Sequence, residues 1–146
     1  YYAEKGKWFD VAKHTYDIHI LMKDQRIQKM LSNETALIDY LSYKRMEEKV
    51  RIGSDLSNKP LDELQIFSDM KLPAFQYDFQ KMQNIYVFDR KYLVETNDLM
   101  HSFQELQQIL NNISEQEQEF LNSELYANLS NQYIKSASPM TTIMID

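Results

Sequence analysis

The sequence predicts an all-α fold, a bundle of five or six helices. Two observations carry that reading. Only 2 Gly and 3 Pro occur in 146 residues, too few for the turns of a strand-rich domain. Apolar residues also recur at helical spacing. Phe75, Phe79, Met82 and Tyr86 fall at i, i+4, i+7 and i+11, and Leu99, Phe103, Leu106, Leu110 and Ile113 share one face. With 43% hydrophobic and 26% charged residues, the chain is globular in composition. Residues 1–135 read as one helical domain and 136–146 as an apolar tail. Phe79, Met82, Phe103 and Leu106 are expected in the core, which eight Met and ten Tyr make adaptable and aromatic.

The elements follow in order. Residues 1–10 read as a loop, with Trp8 and Phe9 packing back, and the first helix spans about 10–22. Asp24 caps a short helix carrying Ile27, Met30 and Leu31. Asn33 is the N-cap of the next helix, which runs to about Arg51 with Leu37, Ile38, Leu41 and Val50 inward. Its Lys44–Lys49 stretch is expected to be a solvated face. Gly53–Pro60 (GSDLSNKP) is the clearest break. Leu61–Ser68 fits a helical turn or a short extended piece. Pro73 suits the first turn of a helix, and 87–94 is a connector. Thr96 or Asn97 caps the most regular helix. Ser114 and Glu117 form a capping box that opens a last helix. That helix carries Leu121, Leu125 and Leu129, with Tyr126 and Tyr133 beside them, and ends at Ser136–Pro139.

Several chemistries are excluded. No cysteine is present, so disulfides and thiolate-held metals are absent; this fits a cytoplasmic protein. No apolar run reaches membrane-spanning length and no secretory signal opens the chain. Because the first residue is Tyr1, the chain is expected to be part of a longer product. Net charge is −6, unlike the overall footprint of a nucleic-acid binder. The charge is uneven: residues 1–53 balance to +2 and the remainder to −8, so an anionic ligand should prefer the N-terminal third. There is no glycine-rich phosphate loop, nucleophile elbow or zinc spacing.

One stretch concentrates titratable groups. In Lys13-His14-Thr15-Tyr16-Asp17-Ile18-His19-Ile20-Leu21-Met22, Ala12, Tyr16 and Ile20 form an apolar stripe widened by Ile18, Leu21 and Met22. Asp17, His14 and Lys13 lie at its edge. A carboxylate beside so much apolar surface finds hydrogen-bond partners or shifts its pKa. The plainer reading has Asp17 bonding a neighbouring helix end, with His14 and His19 as surface or satisfied core histidines.

Two motifs together add a resemblance. Lys13-His14-Thr15-Tyr16-Asp17-Ile18, with Leu21, resembles the Arg-His-x-Tyr-Asp-Leu/Ile motif of the nucleotidyltransferase toxins of abortive-infection systems, the AbiEii/AbiGii type. Phe75-Gln76-Tyr77-Asp78-Phe79-Gln80-Lys81-Met82 resembles that family's Trp-x-x-Asp-Tyr-x-x-Met signature. Leu99, Phe103, Leu106, Leu110 and Asn112 resemble its closing amphipathic helix. The match spans about residues 10–113.

The resemblance implies that this chain is the C-terminal helical half of a two-part enzyme. The family's catalytic half would lie upstream, with a Gly-Ser turn and an Asp-x-Asp pair that hold NTP and Mg²⁺. The implied reaction transfers a nucleotide to a nucleic-acid acceptor such as tRNA, and a cognate antitoxin is the implied partner. Asp17 would take the family's acidic position, as a base toward the acceptor hydroxyl or a group orienting Lys13. Lys13 and His14 would contact substrate. Lys13 stands where the family has Arg, keeping the charge and losing the planar fork. The alternative is a non-catalytic helical interaction domain whose Met- and Tyr-rich face binds a protein.

Overall fold

A computed structural model of the fold describes residues 8–53 and 59–143, with side chains as far as Ala137. It is all-α. The helices among the described residues are α1 (Trp8–Leu21), α2 (Gln25–Ser32), α3 (Glu34–Ile52), α4 (Ile66–Asp69), α5 (Pro73–Tyr86), α6 (Thr96–Leu121) and α7 (Glu124–Ile143). Leu61–Glu63 and Arg90–Tyr92 are 3₁₀ turns. No helix among the described residues is long and apolar enough to cross a membrane.

The chain divides into two compact units. One comprises the residues up to Ser32 with Leu61–Asn111, and the other Asn33–Pro60 with the residues from Asn112 onward. In the first unit, Ala12, Phe67, Met70, Phe75, Phe79, Met82, Val94, Leu99 and Phe103 form one buried cluster. Trp8 and Phe9 pack back against it as expected, and Leu106, expected in the core, is half-buried at its edge. Phe75 stacks on Phe79 at 6.3 Å, and Phe67 meets Phe103 edge-on at 6.1 Å. Pro73 occupies the first turn of α5, where its missing N–H costs nothing. Tyr86, the fourth member of the α5 stripe, is exposed because the helix ends there.

The second unit is built on α3, the end of α6 and α7. Asn33 caps α3, its side chain accepting from the Ala36 N–H at 3.2 Å. Gly53 closes α3 at φ 66°, a left-handed conformation suited to glycine. The rest of the expected 53–60 break falls largely on residues 54–58, outside the described residues. Leu37, Ile38 and Met46 are buried, while Val50 is exposed.

Three expectations are corrected in this unit. The 44–49 stretch is not a uniformly solvated face, since Arg45 and Met46 lie inside. Ser114 and Glu117 do not open a helix. Glu117 is buried against Arg45, so α6 runs on unbroken to Leu121, and Ser123 starts α7 by accepting from the Tyr126 N–H at 3.2 Å. Finally, α7 does not stop at Ser136–Pro139 but continues to Ile143. Its Leu125 and Leu129 are exposed. The packing is carried instead by Tyr126 against Phe120 and Tyr133 against Tyr43, both edge-on, at 5.7 and 5.6 Å.

Candidate functional site

The inward face of α1 is not the stripe Ala12–Tyr16–Ile20. Val11, Ala12, Thr15 and His19 are buried, whereas Ile20 and Leu21 are exposed. The rotation is set by two polar side chains. Thr15 satisfies its hydroxyl on the Ala12 carbonyl at 2.8 Å, and His19 finds Ser102 at 2.7 Å. Two polar side chains therefore occupy inward positions that apolar counting assigns elsewhere.

This rotation puts Lys13, His14 and Asp17 together on the solvent side of α1, as spacings of three and four residues require. All three are exposed. Asp17 is thus not a carboxylate held in apolar surroundings, and it does not bond a helix end in the core. The Lys13 ammonium lies 3.7 Å from the centre of the Tyr86 ring at the end of α5, a cation–π distance. Tyr16 donates its hydroxyl to the Tyr92 carbonyl at 2.7 Å. Burial, the Asp17 charge and Tyr92 together raise the Tyr16 pKa above its ordinary value, which keeps the phenol a donor.

Two features escape a reading of the sequence. The first is the cleft beside His19, about 370 Å³, lined also by Met22, Lys23, Gln28, Asp98, His101, Ser102 and Glu105. His19 is 2% exposed. Its pKa is lowered by burial and by Lys23, against a smaller opposing pull from Asp98, so the imidazole is neutral at neutral pH. The Nδ1–Ser102 Oγ bond satisfies it in the core, as the plainer reading had it. His19 and Ser102 stand 83 residues apart, and no spacing rule joins them.

The second is the connector after α5. The buried Gln83 side chain donates to the Val94 carbonyl at 3.0 Å and accepts from the Val94 N–H at 2.7 Å. This clasp closes the 84–93 segment at its base. Asp89 caps the 3₁₀ turn by accepting from the Lys91 N–H at 3.0 Å. The segment carries exposed aromatics: Tyr86 at 49%, Phe88 at 94% and Tyr92 at 57%.

In the second unit the buried polar centre is Arg45–Glu117. The guanidinium donates to both carboxylate oxygens, at 3.3 and 2.8 Å, and to the Lys59 carbonyl at 2.9 Å. The two side chains are 5% and 2% exposed. Beside them α3, α6 and α7 border an open groove of about 630 Å³ that includes Tyr43, Met46, Phe120, Leu129 and Tyr133.

The resemblance implies a metal-dependent reaction whose metal ions the family holds in its upstream half. Among the described residues, no group of three or more His, Asp or Glu is placed to hold a metal ion. Asp17 stands exposed with Lys13 and His14, a basic setting and not a carboxylate cluster. These residues do not make a metal centre. No family model, curated protein or solved structure matches the chain.

Proposed function

We propose that this chain is the helical C-terminal half of a nucleotidyltransferase-type toxin that acts from the cytoplasm in phage defence. It would serve transfer of a nucleotide from NTP to a nucleic-acid acceptor such as tRNA, with the metal-binding half upstream. One observation supports this best: the two sequence motifs lie on helices that pack together. Ala12 of α1 shares a buried cluster with Phe75, Phe79 and Met82 of α5, and Lys13 reaches Tyr86 across the seam. Of the motifs' apolar residues, Phe75, Phe79 and Met82 are core and Tyr16 and Ile18 pack at its edge, whereas Leu21 and Tyr77 are exposed. The polar residues Lys13, His14 and Asp17 are left on an open surface, where a substrate can reach them.

In this reading the acceptor hydroxyl oxygen bonds to the α-phosphorus of NTP as the bond to pyrophosphate breaks. Asp17 takes the hydroxyl proton, or holds Lys13 toward the substrate, and Lys13 and His14 bind phosphate. The test uses the longer protein containing the upstream half, with labelled NTP and tRNA. Asp17→Asn should lower the rate on the order of 10²-fold while the melting temperature stays within a degree or two, because Asp17 is exposed. A stable Asp17→Asn protein with full turnover removes Asp17 from the site. The 146-residue chain alone should transfer no label, and robust labelling would overturn the division into halves.

A second reading, a non-catalytic interaction domain, is favoured by the aromatic groove of the second unit. Absence of a Gly-Ser turn and Asp-x-Asp pair in the upstream reading frame would decide for it.

A further inference from the structure

We infer that α7 pairs antiparallel with α7 of a second copy of this chain, each copy setting Leu125 into the other's groove beside Tyr133. An uncovered stripe of α7 motivates this. Leu125, Leu129, Gln132 and Ser136 recur at i, i+4, i+7 and i+11, the spacing of the seam between two paired helices. All four are exposed, Leu125 at 60% and Leu129 at 40%. The last three line the groove of about 630 Å³ that residues of α3 and Phe120 complete. Leu125 projects one turn before Leu129. The helix thus carries a groove and, beside it, an apolar side chain of a size to fill one.

Charge selects the occupant and its direction. The stretch Leu125–Ile134 holds no charge, and Glu124 and Lys135 bound it. Both are exposed. They stand eleven residues apart, three helical turns, and so share one side of α7. It is the side opposite Tyr126 and Tyr133, which lie two residues inward from each and pack within the unit. In an antiparallel pair, the register that lays Leu125 between the partner's Gln132 and the partner's Ser136 also brings Glu124 opposite the partner's Lys135. The two-fold axis repeats that match, and Leu129 meets its own counterpart beside the axis. A parallel pair would set like charge on like at both ends. A foreign apolar helix fills the groove without answering either charge. Among the described residues that line the groove, Asp39 alone is charged, and the uncharged stretch brings no like charge against it. Exposed ion pairs add little affinity but set direction. Gln132 and Ser136 dilute the seam, so the dimer is weak and forms with concentration. The inference goes beyond the catalytic reading, since it needs neither NTP nor the upstream half.

The test is sedimentation equilibrium of the chain from about 5 to 500 μM. The mass should rise from one chain to two and no further, because a two-fold contact closes on itself. Leu125→Asp should weaken association by more than about tenfold at an unchanged melting temperature, since the side chain is exposed. Lys135→Glu should weaken it by about fivefold, and adding Glu124→Lys should restore it, because the opposite charges return with places exchanged. The chain has no cysteine, so introduced thiols report direction. Glu124→Cys mixed with Lys135→Cys should form the mixed disulfide faster than either variant links to itself. A single-chain mass at every concentration, parental association by Leu125→Asp, a charge swap no tighter than Lys135→Glu, or dominant like-with-like cross-links would each overturn the proposal. A chain that stays monomeric leaves the catalytic reading untouched, since label transfer by the longer protein tests that reading alone.

Discussion

The two compact units are held by different means. At the centre of the first is an apolar cluster, with Phe75, Phe79, Leu99 and Phe103 all 3% exposed or less. At the centre of the second is a charged pair, Arg45–Glu117, with smaller apolar contributions from Leu37, Met46, Ile113 and Leu121 around it. An apolar cluster gains from every methylene removed from water. A buried ion pair gains little net, because desolvation offsets most of the attraction, yet losing one partner strands a charge. The first unit should thus respond to lost volume, and the second to lost charge balance.

Single substitutions at the two centres should give the largest effects and sharpen the contrast. Phe79→Ala should cost about 3–5 kcal/mol in a denaturant titration, as expected for a fully buried Phe. A loss under 1 kcal/mol would show that the ring is not core. Glu117→Ala should cost a similar 3–5 kcal/mol by removing the buried carboxylate that the Arg45 guanidinium reaches at 3.3 and 2.8 Å. The double replacement Arg45→Met, Glu117→Leu should recover most of that loss or exceed the parent. A double variant as damaged as the single one would break the comparison.

The caps come next. Asn33→Ala and Ser123→Ala should each cost about 1 kcal/mol by freeing one helix N-terminal N–H, read from the same titration. Both caps belong to the second unit, whereas α5 of the first starts on Pro73 without a side-chain cap. The smallest effect is a pH slope. The His19 pKa is below its ordinary value when folded, so the unfolded chain takes up the proton first as pH falls. The corresponding stability is complete above about pH 6.5 and is lost as pH falls from there toward the lowered folded value. His19→Gln should flatten the urea-midpoint slope between pH 7.5 and 5.5. An unchanged slope would show that His19 titrates alike in both states.

Helix content and most of the first unit's core were legible because period and turn composition are local properties. Phe75, Phe79, Met82, Leu99 and Phe103 are where their spacing puts them. Two of the failures share one cause, a polar side chain whose partner is distant in sequence. Glu117 looked like half of a capping box because Ser114 stands three residues before it, and its true partner is 72 residues away. His19 displaced Ile20 from the inward face through Ser102, 83 residues on. The exposure of Asp17 follows from that displacement. Tyr16 and Gln83 likewise meet backbone groups at residues 92 and 94, which no periodicity could announce.

Gln83 has a longer reach than its two hydrogen bonds suggest. Its amide offers Val94 the donor and acceptor that a neighbouring strand would offer, so the exit from α5 and the entry to α6 are joined irrespective of what lies between. With Asp89 capping the turn and the Tyr92 carbonyl held by Tyr16, the side chains at the tip, Phe88 above all, carry little of the duty to specify the fold, and positions so relieved are free to vary. Lineages descended from this sequence can diverge at Phe88, Arg90 and Lys91 without disturbing either helix. A protein engineer can use the same freedom, grafting a foreign peptide at that tip and letting Gln83 hold the frame around it.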